Sequence, residues 1–521
     1  MNRTLALAPW FALVWLVGLF VPFICSFVAA AERAEILAAV NSITKDEAQQ
    51  LIDTLADDSF EGREAGSRGG RAAGNLLMKE FEKLGLAPAG DGKTYFQGFN
   101  GSARNILGLL EGSDPRLKQE IVVVCAHYDH VGYGRATNSF GPIGYIHNGA
   151  DDNASGVSGL IEIVEAIKQL PSPPRRSILF ALWDAEEQGL LGSQHWLAAP
   201  TLDKSRVIAA VNMDMIGRLR ESRLEVYGTR TAPQLRYIVS QANREANLDI
   251  DFSWLMKADS DHWSFFSRSI PSIMFHTRLH GDYHRPSDDA NTVNAEGLTK
   301  VARVVLLTVL ELADRDEFGK FRDAARREHA GTKAWLEQPV APQAPRYGIP
   351  FKVQGEPPQF VLTGTAAGSP AEKAGLRAGD RLLTFQGQPV ADEKQFRLEL
   401  LAADGVTTFT VERAGKDQPL EINLTPAGPP IRVGITWRTD DAEPGTVLLT
   451  QVVYGSPAHA AGLATGDRIY SVNGQQFADQ DEFARLITTL PGPLELETER
   501  QGRMKTVKVE VLEQKHAAAI P

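Results

Sequence analysis

The sequence predicts an α/β domain with a mostly parallel central sheet flanked by helices, followed by two small β-rich domains. Short apolar runs such as "IVVVCAH", "SILFALW", "RVIAAVNM" and "PSIMFH" recur between residues 44 and 314. Runs that are apolar on both faces are typical of buried parallel strands. Helical patterns such as "SGLIEIVEAIKQL" and "APQLRYIVSQANREA" lie between them, which indicates helices covering the sheet. The block "GSPAEKAGLRAGDRLLTFQGQ", from Gly368, returns as "GSPAHAAGLATGDRIYSVNGQ" from Gly455, which indicates two copies of one small domain.

The composition is that of a folded, multidomain protein. The 521 residues are 43% hydrophobic and 23% charged, so a sizeable core is within reach. The formal net charge of −11 argues against a nucleic-acid partner, because such proteins usually carry a basic face.

Residues 1–31 form a predicted targeting segment. Arg3 precedes a long apolar run that ends in the small residues Ala29 to Ala31, as in a cleaved signal peptide. The apolar run is also long enough to span a bilayer, so an uncleaved membrane anchor through residues 5–28 is the alternative. Either way the body of the protein is exported, to the periplasm or outside the cell. Cys25 falls in this segment and leaves Cys125 alone, so no intramolecular disulfide is expected.

Composition shifts divide the exported part into four segments. The α/β domain spans residues 44–314, and a charged, helical and Pro-rich linker containing "PVAPQAP" spans 315–344. The repeated domains occupy residues 345–425 and 430–515.

Polar side chains follow each predicted strand of the α/β domain, where open α/β sheets place their sites. Carboxylate and imidazole groups without a cysteine pair suit a catalytic zinc site. An Asp between two methionines, as in "NMDMIG", needs a cation or donors. The adjacent carboxylates of "DAEEQG" point in different directions on a helix or strand, so they are expected to do different work. At most one or two of three loop histidines need be ligands. The candidates are His127, Asp129, Asp152, Glu186, Glu187, Asp214, His276, His280 and His284.

The blocks "AHYDHVG", "GADDNASG", "DAEEQGLLGS", "NMDMIGR" and "DYHRPSDD" resemble the signature blocks of exported di-zinc aminopeptidases of peptidase clan MH, the bacterial leucyl aminopeptidase type. The resemblance implies a zinc exopeptidase fold and two zinc ions per chain. It places His127 and Asp214 on one zinc, Glu187 and His284 on the other, and Asp152 between them.

The same resemblance implies the catalytic roles. Glu186 would be the general base for a metal-activated water, Asp129 would orient His127, and Tyr283 would stabilise the tetrahedral oxyanion. The expected substrates are peptides with a free N-terminus.

The repeated domains resemble PDZ domains of bacterial exported proteases. "YGIP" at Tyr347 and "VGIT" at Val433 stand where the carboxylate-binding loop is expected. Pro350 removes one N–H donor from the first loop. Peptide or protein ligands added to a sheet edge are therefore one expectation, and a spacer or assembly interface is the other.

Three alternatives stay open from the sequence. A carboxypeptidase could hold a substrate carboxylate with Arg218 or Arg278. A cyclase of N-terminal glutamine would use the same fold with one zinc, whereas this chain keeps a two-metal set. A catalytically dead PDZ scaffold is the alternative outside enzymes.

Overall fold

A computed structural model of the chain describes residues 33–341 and 345–511. The predicted signal peptide or anchor lies outside these residues. Among the helices that the structure describes, none has the length and apolarity needed to cross a membrane. The chain divides into two compact units, Met1–Arg327 and Glu328–Pro521.

The first unit is built on a nine-stranded mixed sheet in the order β1-β3-β5-β4-β6-β9-β7-β8, with β2 paired to β3. The central strands β5, β4, β6 and β9 are mutually parallel, as predicted. The edges add antiparallel pairs, because β3 runs against β5 and β7 runs against β9. The strands are β1 Ala87–Pro88, β2 Phe96–Phe99, β3 Ala103–Leu110, β4 Ile121–His127, β5 Ser177–Trp183, β6 Val207–Met213, β7 Arg223–Tyr227, β8 Asp249–Ser253 and β9 Ser272–His276.

Strand β4 shows why the sheet is covered on both faces. All seven of its residues are buried. Val122 and Val124 pack into the larger core with the long helices, while Val123 and Cys125 pack with Trp183 and other aromatic residues on the opposite face. The alternation follows from the two-residue period of a strand. It confirms the prediction of a sheet flanked by helices.

The helices of this unit begin at the residues that the sequence favours. Ser67 and Asn294 each cap a helix by accepting a backbone N–H through the side chain. The predicted helices after "GADDNAS" and in "APQLRYIVSQ" are both present. The helices are α1 Lys45–Leu55, α2 Arg68–Lys83, α3 Gly156–Lys168, α4 Leu191–Ala198, α5 Leu235–Ala242, α6 His262–Phe266 and α7 Ala295–Asp314.

The charged stretch after α7 is helical only in part. It contains a single 3-10 turn at Asp323–Arg326 and the helix α8 at Ala330–Glu337. The remainder has no regular structure in the residues described, and Gly319 packs against the ring of Pro233. The extent of the linker over 315–344 stays a prediction.

The second unit contains the two repeated domains, each with its own β-sheet and core. Ser369 and Ser456 cap equivalent helices, and Asp380–Arg413 and Asp467–Arg500 are equivalent ion pairs. The first copy has β10 Phe351–Gln354, β11 Gln359–Leu362, β12 Arg381–Phe385, β13 Gln388–Pro389, β14 Thr407–Glu412 and β15 Leu420–Leu424, with α9 Pro370–Ala374 and α10 Glu393–Ala402. The second copy has β16 Ile435–Thr439, β17 Val447–Val452, β18 Arg468–Val472, β19 Leu494–Arg500 and β20 Arg503–Val509, with α11 Pro457–Ala460 and α12 Gln480–Thr489.

Candidate metal centre

The predicted site residues meet at one edge of the central sheet. Strand β4 ends at His127, β6 ends one residue before Asp214, and β5 ends shortly before Glu186. Because these strands are parallel, their carboxyl ends lie side by side. Asp152 reaches the same place from the turn that precedes α3.

Two donor groups share Asp152. His127 Nε2 lies 3.4 Å from Asp152 Oδ1 and 3.5 Å from Asp214 Oδ1. His284 Nε2 lies 3.1 Å from both Asp152 Oδ2 and Glu187 Oε2. Ligands about 2.0–2.1 Å from a tetrahedral zinc stand roughly 3.3 Å apart, so both groups have the spacing of a metal's ligand shell. Each oxygen of Asp152 serves a different group, as expected of a bridging carboxylate.

The charges of the centre also indicate cations. Burial opposes protonation of His284, yet its hydrogen bonds to Asp152 and Glu187 prevail and raise its pKa to about 11. Burial also lowers the pKa of His127, but the negative charges of Glu186 and Asp214 prevail and raise it well above its ordinary value. Asp214 Oδ1 is buried without a hydrogen-bond partner among the described residues. A buried, unpaired carboxylate oxygen is costly unless a cation neutralises it. The donor set therefore fits a pair of zinc ions.

Glu186 and Glu187 diverge. Glu187 contacts His284, whereas Glu186 Oε2 lies 4.0 Å from His127 Nε2. Burial raises the pKa of Glu186 well above its ordinary value. Ala185, just before the pair, has a φ of 57°, which turns the chain sharply after β5. The adjacency noted in "DAEEQG" thus sends the two carboxylates to different partners.

Asp129 contacts His127 differently from the expectation. Its backbone carbonyl, not its carboxylate, is the nearer acceptor for His127 Nδ1, at 3.2 Å against 3.7 Å. The Asp129 carboxylate instead accepts the backbone N–H groups of Glu186 at 3.0 Å and Glu187 at 3.4 Å. Asp129 therefore holds the segment that carries both glutamates, besides directing Nε2 of His127 into the centre.

The structure adds His130, which the sequence analysis did not single out. Its ring is buried, and Nδ1 lies 2.8 Å from Glu187 Oε1. It also lies within the same group of ligand atoms as Asp152, Glu187 and His284. The only signal in the sequence is the second histidine of "HYDH".

Two further residues position the bridging carboxylate. The buried carboxylate of Asp288 accepts the backbone N–H groups of Asp151 and Asp152, at 3.0 and 3.1 Å from Oδ2. The buried guanidinium of Arg63 donates to the carbonyls of Asn148 and Gly149, just before this turn. The sequence predicts this role for neither residue, although Asp288 lies in the block "DYHRPSDD", because each acts through chain segments far from it.

Of His276, His280 and His284, only His284 joins a donor group. His276 is the last residue of β9 rather than part of the loop that the sequence predicted. His276 Nδ1 donates to the backbone carbonyl of Asp214 at 2.8 Å, and His280 Nε2 lies 3.1 Å from the Asp151 carboxylate. The ring of Tyr283 stacks on that of His284, with centroids 3.9 Å apart. Burial raises the pKa of the Tyr283 phenol, so it remains a hydrogen-bond donor at neutral pH.

A cavity of about 410 Å³ opens beside the two donor groups. Besides the candidate ligands it is lined by Glu225, Tyr227, Met274, Arg278 and Tyr283. The centre therefore has room for one bound residue next to the candidate ligands.

Comparison with known proteins gives the chain its relatives. Residues 105–309 match peptidase family M28, and residues 361–413 and 448–500 each match the PDZ domain. Aminopeptidase YwaD of Bacillus subtilis is 31% identical over 42% of this chain and 46% of its own length. The regulator of sigma-E protease RseP of Escherichia coli is 35% identical over 27% of this chain and 34% of its own. The crystal structure of Legionella LapA covers 54% of this chain and 77% of its own, at 23% identity and a TM-score of 0.46. The chain thus covers less than half the length of YwaD and less than half the length of RseP.

Proposed function

We propose that this chain, which carries a peptidase family M28 domain followed by two PDZ domains, is an exported zinc-dependent aminopeptidase. The observation that carries the proposal is the pair of donor groups joined by Asp152. The histidine of each group has a carboxylate of its own, Asp214 for His127 and Glu187 for His284. Two metal ions held side by side are suited to clamp the attacking and leaving groups of a hydrolysis.

The chain's own residues supply proton transfer and orientation. When bound, the zinc pair would lower the pKa of a water molecule and polarise the scissile carbonyl. Glu186 stands at the edge of the His127 group and would take the proton of the attacking water and pass it to the leaving amine. Asp129 and His130 would hold Glu186 and Glu187 in place through the contacts described above. The Tyr283 hydroxyl would donate to the developing oxyanion.

The arginine contacts favour removal of residues from the N-terminus. A carboxypeptidase needs a cation free to bind the substrate carboxylate. Arg218 pairs with Asp282, and Arg278 pairs with Asp251 at 3.0 Å. The cavity beside the donor groups is instead lined by several carboxylates, among them Glu186 and Asp214, and negative charge suits a protonated α-amine. The complete donor groups also weigh against a catalytically dead scaffold.

We also propose that the PDZ domains bind peptides or protein partners, the first copy above all. A cavity of about 510 Å³ is lined by the loop Tyr347 to Ile349 and by α10 of the first copy, and its other lining residues include Thr450 to Tyr454 of the second copy. Among the described residues, the N–H groups of Gly348 and Ile349 have no acceptor, so they are available to a peptide. In the second copy, the ring of Trp437 packs edge-on against Phe483, 4.9 Å away, at the corresponding groove.

A substrate panel tests the proposed activity. The full exported chain is incubated with aminoacyl p-nitroanilides and with their N-acetylated counterparts. Hydrolysis of the free-amine compounds alone is expected. Treatment with a chelator should abolish it, and added Zn²⁺ should restore it. Cleavage of the blocked compounds, or activity that survives complete metal removal, would overturn the proposal.

A further inference from the structure

The cavity beside the metal centre extends sideways across the sheet. Strand β9 follows β6 in the sheet, and β7 follows β9. Glu225 pairs with His276, and Tyr227 pairs with Met274. Residues paired in this way share a face, as do residues two apart on one strand. The four side chains therefore form a row that leads away from Asp214 at the end of β6.

The negative charge of Glu225 is not balanced by a neighbouring cation. No lysine or arginine in the described part of the chain lies within ion-pair distance of its carboxylate. Arg278 also lines the cavity, but Asp251 neutralises it. Lys257 and Asp259 also line the cavity, are exposed and carry opposite charges. The half-buried Glu225 carboxylate accepts a hydrogen bond from the Tyr227 hydroxyl, but no lysine or arginine pairs with it among the described residues.

The walls between the metals and Glu225 suit an aliphatic stem that ends in a cation. Met215, Tyr227 and Met274 are buried apolar residues that line this stretch. The Lys257 ammonium lies 5.9 Å from the centre of the Tyr227 ring, which shows that the ring already tolerates a cation nearby. A flexible four-carbon stem along apolar surface with its charge at a polar end is the usual disposition of a buried lysine side chain.

The distances are compatible with one long side chain. Strand β7 is two strand spacings from β6, or roughly 10 Å. A lysine side chain reaches about 6 Å from its Cα through bonds of about 1.5 Å. The Glu225 side chain reaches about 4 Å from its own Cα, so the two side chains together span roughly 10 Å. A substrate residue whose backbone lies beyond the end of β6 would therefore place its terminal amine near the Glu225 carboxylate. A leucine side chain is too short to reach this carboxylate.

We propose, on the basis of the aminopeptidase function above, that this cavity receives the side chain of an N-terminal lysine or arginine and that Glu225 determines this specificity. The carboxylate pairs with the substrate cation, and the Tyr227 ring supports it. The favoured substrates are therefore peptides with a basic first residue, rather than those with a leucine.

The test compares lysyl and norleucyl p-nitroanilides, because norleucine keeps the aliphatic stem and lacks the charge. The zinc-loaded full chain is assayed with both compounds and with glutamyl p-nitroanilide. The wild-type protein is expected to show at least a tenfold higher kcat/KM for the lysyl compound than for the norleucyl one. In the variant Glu225→Gln the ratio of lysyl to norleucyl kcat/KM should fall about tenfold. In the variant Glu225→Lys the kcat/KM for the glutamyl compound should exceed that for the lysyl compound.

Glu221→Gln is the matched control. It removes the same charge four residues earlier, where the side chain is exposed and outside the cavity, and should leave the ratio unchanged. Wild-type hydrolysis of norleucyl and lysyl compounds at equal efficiency would overturn the specificity but not the aminopeptidase function. No hydrolysis of any free-amine compound would overturn both. The wild-type ratio tests the specificity even if a Glu225 variant does not fold, and an unchanged ratio in folded Glu225→Gln would overturn the role of Glu225.

Discussion

Asp129 Oδ1 accepts the backbone N–H of Glu186 at 3.0 Å. This hydrogen bond links the loop after β4 to the loop after β5, so the candidate base is held by the same residue whose carbonyl contacts the ring of His127. The proposed metal ligand His127 and the proposed proton acceptor Glu186 are therefore positioned together. A small change at Asp129 should disturb both.

The substitution Asp129→Asn tests this link. The amide oxygen of asparagine can accept one of the two backbone N–H groups, but its NH2 group would face the other N–H and cannot accept it. The Glu186–Glu187 segment should therefore be held less firmly. Loss of an outer-shell partner of a metal site typically lowers activity or metal affinity 10- to 100-fold, and kcat/KM is expected to fall by about this factor. Steady-state kinetics with zinc content measured in parallel provide the check.

Asp203→Asn is its control. Asp203 also accepts a backbone N–H, from Ser205 at 2.9 Å, but lies exposed on a surface turn. Its variant should retain wild-type kinetics. Equal kinetics for Asp129→Asn and wild type would show that Asp129 does not hold the base.

Arg63 should be needed for the fold around the centre. Its buried guanidinium donates to four backbone carbonyls, those of Leu55, Tyr128, Asn148 and Gly149. Methionine keeps much of the volume but removes the donor for the carbonyls of Leu55, Tyr128 and Asn148, each at a cost of about 1 kcal/mol or more, whereas Gly149 keeps the N–H of Ala154. The free energy of unfolding of Arg63→Met should fall by more than about 3 kcal/mol in denaturant titrations.

Arg68→Met serves as the comparison, since the side chain of Arg68 is 79% exposed and pairs only with Glu61. It should change stability by less than about 1 kcal/mol, as surface ion pairs contribute little. A similar small loss for Arg63→Met would mean that water or rearrangement satisfies the buried carbonyls.

Glu162 should make the protein less stable as the pH rises. Burial raises the pKa of its carboxyl from 4.5 to about 7. The hydrogen bond that Oε2 accepts from the backbone N–H of Thr44 lowers the pKa, but by less than burial raises it. The folded state thus binds a proton more tightly than the unfolded state does, so stability is lost between about pH 4.5 and pH 7. Glu162→Gln removes this ionisation and should raise the free energy of unfolding at pH 8 by about 1 to 3 kcal/mol.

At pH 4 the variant and the wild type should be nearly equal in stability. The exposed Glu245 provides Glu245→Gln as the control, which should show no such pH-dependent gain. A gain of equal size at pH 4 and pH 8 would contradict the assignment to the buried ionisation of Glu162.

The sequence could predict the parts of the site that lie at strand ends. His127, Asp214 and the glutamate pair each follow an apolar run directly, and the parallel arrangement of such runs brings their ends together. The order of the two glutamates came from family resemblance rather than from spacing, and the structure directs Glu187 to His284 accordingly.

Residues that act across the chain could not be predicted in this way. Asp288 contacts Asp152 across 136 residues, and Arg63 contacts Gly149 across 86. The local sequence predicts neither contact, because these roles depend on which loops become neighbours. The same holds for β7, whose antiparallel pairing with β9 depends on how the chain returns to the sheet and not on its own pattern.

The most direct test of the proposed chemistry is metal content and turnover in Glu186→Gln. Glutamine keeps the size of the side chain but cannot accept the water's proton. Glu186 lies close to the candidate ligands His127 and Asp214, and the amide oxygen of glutamine keeps a neutral oxygen at that position. The variant is expected to bind two zinc ions per chain, as the wild type does, while kcat on an aminoacyl p-nitroanilide falls at least a thousandfold. A variant that binds two zinc ions and keeps full turnover would contradict the assignment of Glu186 as the base, and a wild type that binds no zinc would contradict the metal centre itself.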